Sequence, residues 1–166
     1  PALTVSYAGL KNADTVPATP PVAACAADGT SPVGAYDIVL TGGSDPNYDL
    51  TLEDGTLTVT AKLLTVTAED KSRLYGDANP ALTVTCDGFV NGDDEGDLAT
   101  PPTATCAATA ASGTGTYAIV PAGGADDNYV FAYADGTLTI QPAPLACTAD
   151  DKTKVYGSPN PDLTIC

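Results

Sequence analysis

Three sets of side chains in this 166-residue chain have types and spacings that bear on chemistry: acidic clusters, five cysteines and two Tyr-Gly pairs. Asp93, Asp94, Glu95 and Asp97 form the densest acidic run, and Asp126-Asp127 and Asp150-Asp151 are smaller. A calcium site needs about six to eight oxygens converging on one point. None of these runs has the spacing of an EF-hand loop, so solvated loops are expected. Asp150-Asp151, beside the linker Gln141–Pro144 (QPAP), is retained as a weak calcium candidate that would stiffen a junction; no other cofactor is expected. The chain has no histidine. No Ser-His or Cys-His nucleophile can therefore be built, nor a His-containing zinc site, and the cysteines make no C-x-x-C pair. No carboxylate pair reads as a glycosidase acid and base. Lys71 and Lys152 fall in polar turns, which disfavours a buried isopeptide bond. No enzyme site is expected.

The elements that position these residues are repeated. Leu63–Cys86 (LLTVTAEDKSRLYGDANPALTVTC) returns in part as Leu145–Cys166 (LACTADDKTKVYGSPNPDLTIC), and its last third opens the chain as PALTVSY. Tyr75-Gly76 recurs as Tyr156-Gly157, so that 157 less 76, or 81 residues, is the period. That is a tandem domain, longer than the units of solenoids. Apolar and Thr residues alternate along Pro1–Leu10, Ala35–Leu40, Leu63–Ala68 and Ala81–Phe89, the pattern of half-buried strands. Tyr48–Thr60 and Asn128–Ile140 read as hairpins around Asp54-Gly55 and Asp135-Gly136, dipeptides suited to tight turns. Asn91–Ala99 has the composition of one short helical turn capped by Asp93 and Asp94. Scattered Gly and Pro exclude longer helices. The expected division is residues 1–60, a first repeat lacking its opening strand; 61–142, a complete repeat; and 143–166, the opening strands of a third.

In this frame the Tyr-Gly pairs are structural: Gly supplies a positive φ, and the Tyr ring is expected to cover a small core. Asn79-Pro80 and Asn160-Pro161 set the entry to the following strand. Cys86 has the phase of Leu82 and Val84, and Cys106 lies on a strand of the same repeat, so a Cys86–Cys106 disulfide is expected. Cys25 occupies the position of Cys106, but Tyr7 stands at that of Cys86. Cys25, Cys147 and Cys166 are thus left as candidates for bonds between subunits. Five cysteines in such a chain point to an oxidising compartment.

Charge narrows the partners. Six Lys plus Arg against 21 Asp plus Glu give −15, which repels nucleic acid and anionic lipid. No apolar run is long enough to insert in a membrane.

The order YG-x-x-NP-x-LTV, GF-x-x-GD, G-x-Y-x-I, NY and DGTLTI is carried by Tyr75-Gly76, Asn79-Pro80, Gly88-Phe89, Gly92-Asp93, Gly115/Tyr117/Ile119, Asn128-Tyr129 and Asp135–Ile140. It resembles the MBG domain of YGX type, found in tandem in large bacterial surface adhesins. The resemblance implies a mainly β chain of small β-grasp-like or sandwich-like sheet domains, elongated as beads on a string, at the cell surface or in an appendage. It implies stalk or binding modules; the cysteines depart from the pattern and suggest an added cross-linking task. The expected function is a structural repeat of an extracellular fibre or adhesin stalk, a head-to-tail homopolymer completed by strand exchange. The alternative is an adhesin module binding protein or carbohydrate, with host or matrix glycans as partners.

Overall fold

The computed structural model describes residues 1–161; the last strand expected from the sequence, and Cys166 with it, lie outside the described residues. Ten strands are present among those described: β1 Val22–Cys25, β2 Gly34–Thr41, β3 Gly55–Val59, β4 Lys62–Ala68, β5 Lys71–Leu74, β6 Val84–Asp87, β7 Thr103–Cys106, β8 Gly115–Ala122, β9 Tyr129–Ala134 and β10 Gly136–Gln141. The chain is mainly β, with no helix among the described residues, as the Thr-apolar alternation and the dispersed Gly and Pro require. The expected turn of helix at Asn91–Ala99 is instead a set of turns. There the Asp94 carboxylate accepts the Gly96 N–H at 2.7 Å and the Asp97 carboxylate accepts the Asp94 N–H at 2.8 Å. Such local acceptors compete with helical bonds.

The second repeat is built on two bent ribbons. β4 and β9 run parallel in one sheet of order β6-β4-β9, and β5 and β10 run parallel in a second of order β5-β10-β8-β7. Both parallel ladders have the same offset, Lys62 with Tyr129 and Lys71 with Leu138, so one register passes unbroken from sheet to sheet. At the bend Asp70 makes no backbone pair with Thr137; its carboxylate accepts the Thr137 N–H at 2.7 Å and bridges the gap. Gly136 is needed at the same level. A Cβ there would sit 2.8 Å from the Ala68 carbonyl carbon, closer than real Cβ contacts allow.

This corrects the expected hairpin at Asp135-Gly136. β9 and β10 do not pair with each other; the chain changes sheets between them. The alternating pattern marks the strands correctly, but Asp-Gly here makes a corner and not a reversal.

Two apolar clusters form the core. One joins Ala68, Ala108, Ile119, Leu138 and Ile140; the other joins Leu64, Leu98 and Tyr129, with Phe89 edge-on to Tyr129 at 5.5 Å.

The first repeat holds one sheet of order β1-β2-β3, equivalent to β7-β8-β10. Residues 1–8 form no strand, and residues 48–54 form none either, so the expected strand Pro1–Leu10 and the first arm of the Tyr48–Thr60 hairpin are absent. The physical reason is the missing partner. In the second repeat β6 and β9 each pair only with β4, and the first repeat contains no such strand. The same loss empties its core. Ile38, Tyr48 and Leu57 are only half-buried, while their counterparts Ile119, Tyr129 and Leu138 are buried.

Candidate functional site

Nothing in the described residues gathers three His, Cys, Asp or Glu side chains into a metal-holding group. Asp150 and Asp151 are exposed, and Lys152 lies 3.8 Å from the Asp150 carboxylate. Asp151 repeats Asp70, whose carboxylate serves the strand bend.

An unfilled groove lies in the first repeat. Two adjoining hollows of about 280 and 360 Å³ run between residues 5–10 and residues 48–53. Tyr7, Ala8, Leu50 and Leu52 line them. In the second repeat the matching space, between β6 and β9, is filled by β4, whose Leu64 and Val66 are fully buried. The frame of the groove is already set. The Tyr48 hydroxyl donates to the Asp14 carboxylate at 2.7 Å and accepts the Lys11 N–H at 2.8 Å. The Tyr129 hydroxyl likewise bonds the Asp93 carboxylate at 2.6 Å and the Val90 N–H at 3.2 Å. Burial and the neighbouring Asp93 push the Tyr129 phenol up. For Tyr48 the Lys11 N–H pulls the other way, but Asp14 and burial outweigh it.

Residues 143–155 repeat the segment that fills the second repeat, and they are exposed without strand pairing. Leu145, at the position of Leu64, is 87% exposed. The beginning of the Tyr-Gly turn is formed nonetheless: Lys154 donates to the Asn160 carboxamide oxygen at 2.9 Å, as Arg73 donates to that of Asn79 at 2.8 Å. Arg73 is the one buried charged side chain among the described residues. It also bonds the Thr109 carbonyl at 2.6 Å, and the Asn79 amide bonds that of Ala108 at 2.6 Å. Sequence reasoning gave Asn79 only a backbone role and missed Arg73; the recurrence of a cation six residues before Asn-Pro was the available signal.

Gly76 and Gly157 have φ of 91° and 84°, as a Tyr-Gly turn demands. The tyrosines do not cover a core: Tyr75 is 51% exposed and Tyr156 fully so. The Tyr75 N–H instead closes the ladder on the Gln141 carbonyl at 2.8 Å.

The cysteines are separated. Cys86 packs on the Leu64 cluster and Cys106 on the Ala68 cluster, in different sheets, and both are free thiols. The expected Cys86–Cys106 bond is thus not formed; equal inward phase does not imply a shared layer when two sheets face each other. Burial, followed by the Glu95 carboxylate, pushes the Cys86 thiol up to about 11, which leaves little reactive thiolate. Cys25 and Cys147 are also free, Cys147 exposed.

A duplicated β module with one filled and one open strand slot is the class defined by this geometry. A family model of the MBG domain (YGX type) matches residues 1–58 and again residues 64–139, and the chain belongs to that family. It is a family of repeat modules of surface-associated proteins. No curated protein and no solved structure matches the chain.

Proposed function

We propose that this chain is a structural repeat unit of an extracellular bacterial fibre or adhesin stalk, in which residues 143–155 of one copy enter the open groove of the next. The observation that carries this is the filled slot of the second repeat, because the same sequence period supplies both the groove and the strand. Transferring the observed register sets Leu145 beside Leu50, and Cys147 beside Leu52 and Tyr7. The Asp151 carboxylate then meets the Thr56 N–H, as Asp70 meets that of Thr137. Lys154 takes the place of Arg73 and reaches the Asp28 carbonyl, the counterpart of that of Thr109. Here charge adds to the fit, because Asp28 replaces Thr109 and the Thr30 N–H holds its carboxyl below the usual range.

Strand addition of this kind obtains affinity from main-chain bonds and specificity from alternate side chains. It is heterologous, so it grows open-ended unless its rotation closes a ring. Cys147 and Cys25 would then lie in different sheets, as Val66 and Cys106 do. Sedimentation and electron microscopy of the full chain test the reading. Concentration-dependent filaments that vanish in Leu145→Asp are expected; a chain that stays monomeric at every accessible concentration overturns it.

A further inference from the structure

The two repeats meet through a defined contact. The Val33 N–H of the first donates to the carboxamide oxygen of Asn128 in the second at 2.9 Å. Around this bond the turn Thr30–Val33 faces Val90, Asn91 and Asp93 across a hollow of about 380 Å³. The chain passes from one repeat to the other through Thr60 and Ala61, between β3 and β4.

Each half of this contact also exists at the other end of the molecule. The receiving face is repeated by Lys11, Asn12, Asp14, Asn47 and Tyr48. Asn12 and Asn91 share a left-handed backbone, with φ of 53° and 61°. Asp14 and Asp93 accept from the equivalent tyrosine hydroxyls, of Tyr48 and Tyr129. Asp45 receives the Asn47 N–H at 2.8 Å, and Asp126 the Asn128 N–H at 2.8 Å. The approaching turn is repeated by residues 109–114. The Ser31 hydroxyl accepts the Asp28 N–H at 2.8 Å, and the Ser112 hydroxyl that of Thr109 at 2.9 Å. Tyr36 and Tyr117 brace the two turns through the carbonyls of Pro32 and Gly113, at 2.9 and 3.1 Å. The Asn47 carboxamide has no hydrogen-bond partner among the described residues.

We infer that a second copy of this chain docks its 109–114 turn on the Lys11, Asn12 and Asn47 face, with the Thr114 N–H donating to the Asn47 carboxamide oxygen. This rests on the strand-donation reading and deepens it. Gln141 and Pro142 are the counterparts of Thr60 and Ala61, so a strand that enters the next groove at Ala143 has the linker length that brings the turn onto Asn47. The groove and the junction are separate surfaces that the same linker forces into agreement. The two faces of the junction are preformed in the single copy, so the junction itself orders few groups on docking, which lowers the entropic cost of association.

The test mixes a chain carrying Asn47→Cys with an isotopically labelled chain carrying Thr114→Cys under mild oxidation, and maps the disulfides by mass spectrometry. A bond between residues 47 and 114 of differently labelled chains is expected. Val33→Cys with Asn128→Cys in one chain is the control, since that pair is already in contact. In parallel, Asn47→Ala should weaken self-association about fivefold, the loss of one neutral hydrogen bond, with binding of a synthetic 142–158 peptide to the groove unchanged. Unchanged self-association in Asn47→Ala, or no 47–114 bond while the control closes, overturns the junction even where the peptide binds. Failure of the peptide itself to bind would instead overturn the strand-donation reading beneath it.

Discussion

A synthetic peptide of residues 142–158 should bind the full chain, and Leu145 should carry much of its affinity. Leu64, its counterpart, has no exposure, and Leu145 in the single chain is 87% exposed. Moving a leucine side chain from nearly full exposure to full burial contributes about 1.5–3 kcal/mol. The peptide with Leu145→Ala keeps one methyl of that side chain, so its dissociation constant should rise about ten- to hundredfold. Thr148 repeats Thr67, an exposed position in β4, so Thr148→Ala should change little. Fluorescence anisotropy of a labelled peptide against unlabelled chain measures both. Equal affinity of the parent and Leu145→Ala peptides would refute the reasoning, because a strand seated in any register that leaves Leu145 in water is not the β4 equivalent.

Other variants probe the second repeat. Leu64→Ala should cost about 2–5 kcal/mol in urea unfolding, whereas Leu145→Ala should leave the unassembled chain as stable as before. Gly136→Ala should destabilise by about 1–3 kcal/mol, since its new methyl meets the Ala68 backbone rather than a side chain that can turn away. The raised Cys86 thiol makes a pH prediction. Folding favours its protonated form, so that contribution is intact below the ordinary thiol value of 9.0 and is lost as pH rises through about 11. Unfolding at pH 8 and pH 10.5 should show a smaller alkaline loss in Cys86→Ala than in the parent. Iodoacetamide at pH 8 should label Cys147 well before Cys86, a difference that mass spectrometry reads directly.

Most strand positions of the second repeat were legible because alternation registers which residues face inward; β5 was not, because its polar Lys71–Leu74 reads as the turn that Lys71 was expected to occupy, and only pairing with β10 makes it a strand. Leu64, Val66 and Ala68 announce a buried edge whatever sheet they join. Sheet membership was not legible. The corner at Gly136 depends on how near Ala68 comes, and an Asp-Gly dipeptide reads the same at a corner as at a hairpin. The absence of strands at Pro1–Leu10 and Tyr48–Glu53 follows the same logic. Their patterns are strand-like, but a ladder is a property of two segments, and β4 has no counterpart beside them. The Cys86–Cys106 expectation failed for a related reason, since phase tells which way a side chain points but not which of two facing layers it enters. The period of 81 residues made the return of the β4 segment at residues 143–155 visible in the sequence. The Arg73–Asn79 bridge and the Asn128 contact needed coordinates, because each depends on a carbonyl or N–H that any residue could have provided.

The unbroken parallel register of the two bent ribbons bears on how the module carries tension. The chain enters the second repeat at the start of β4 and leaves it at the end of β10, and the paired ribbons run in the same direction. A pull applied to the two ends of the repeat drags the first ribbon backward and the last forward, along the line of their contact. All the hydrogen bonds between them are then strained at once, in shear, and none can be peeled away singly from one end. Extraction becomes a single concerted event whose rate is set by the unfolding barrier. The Asp70 carboxylate at the bend extends that load path across the corner, so the two short ladders resist as one.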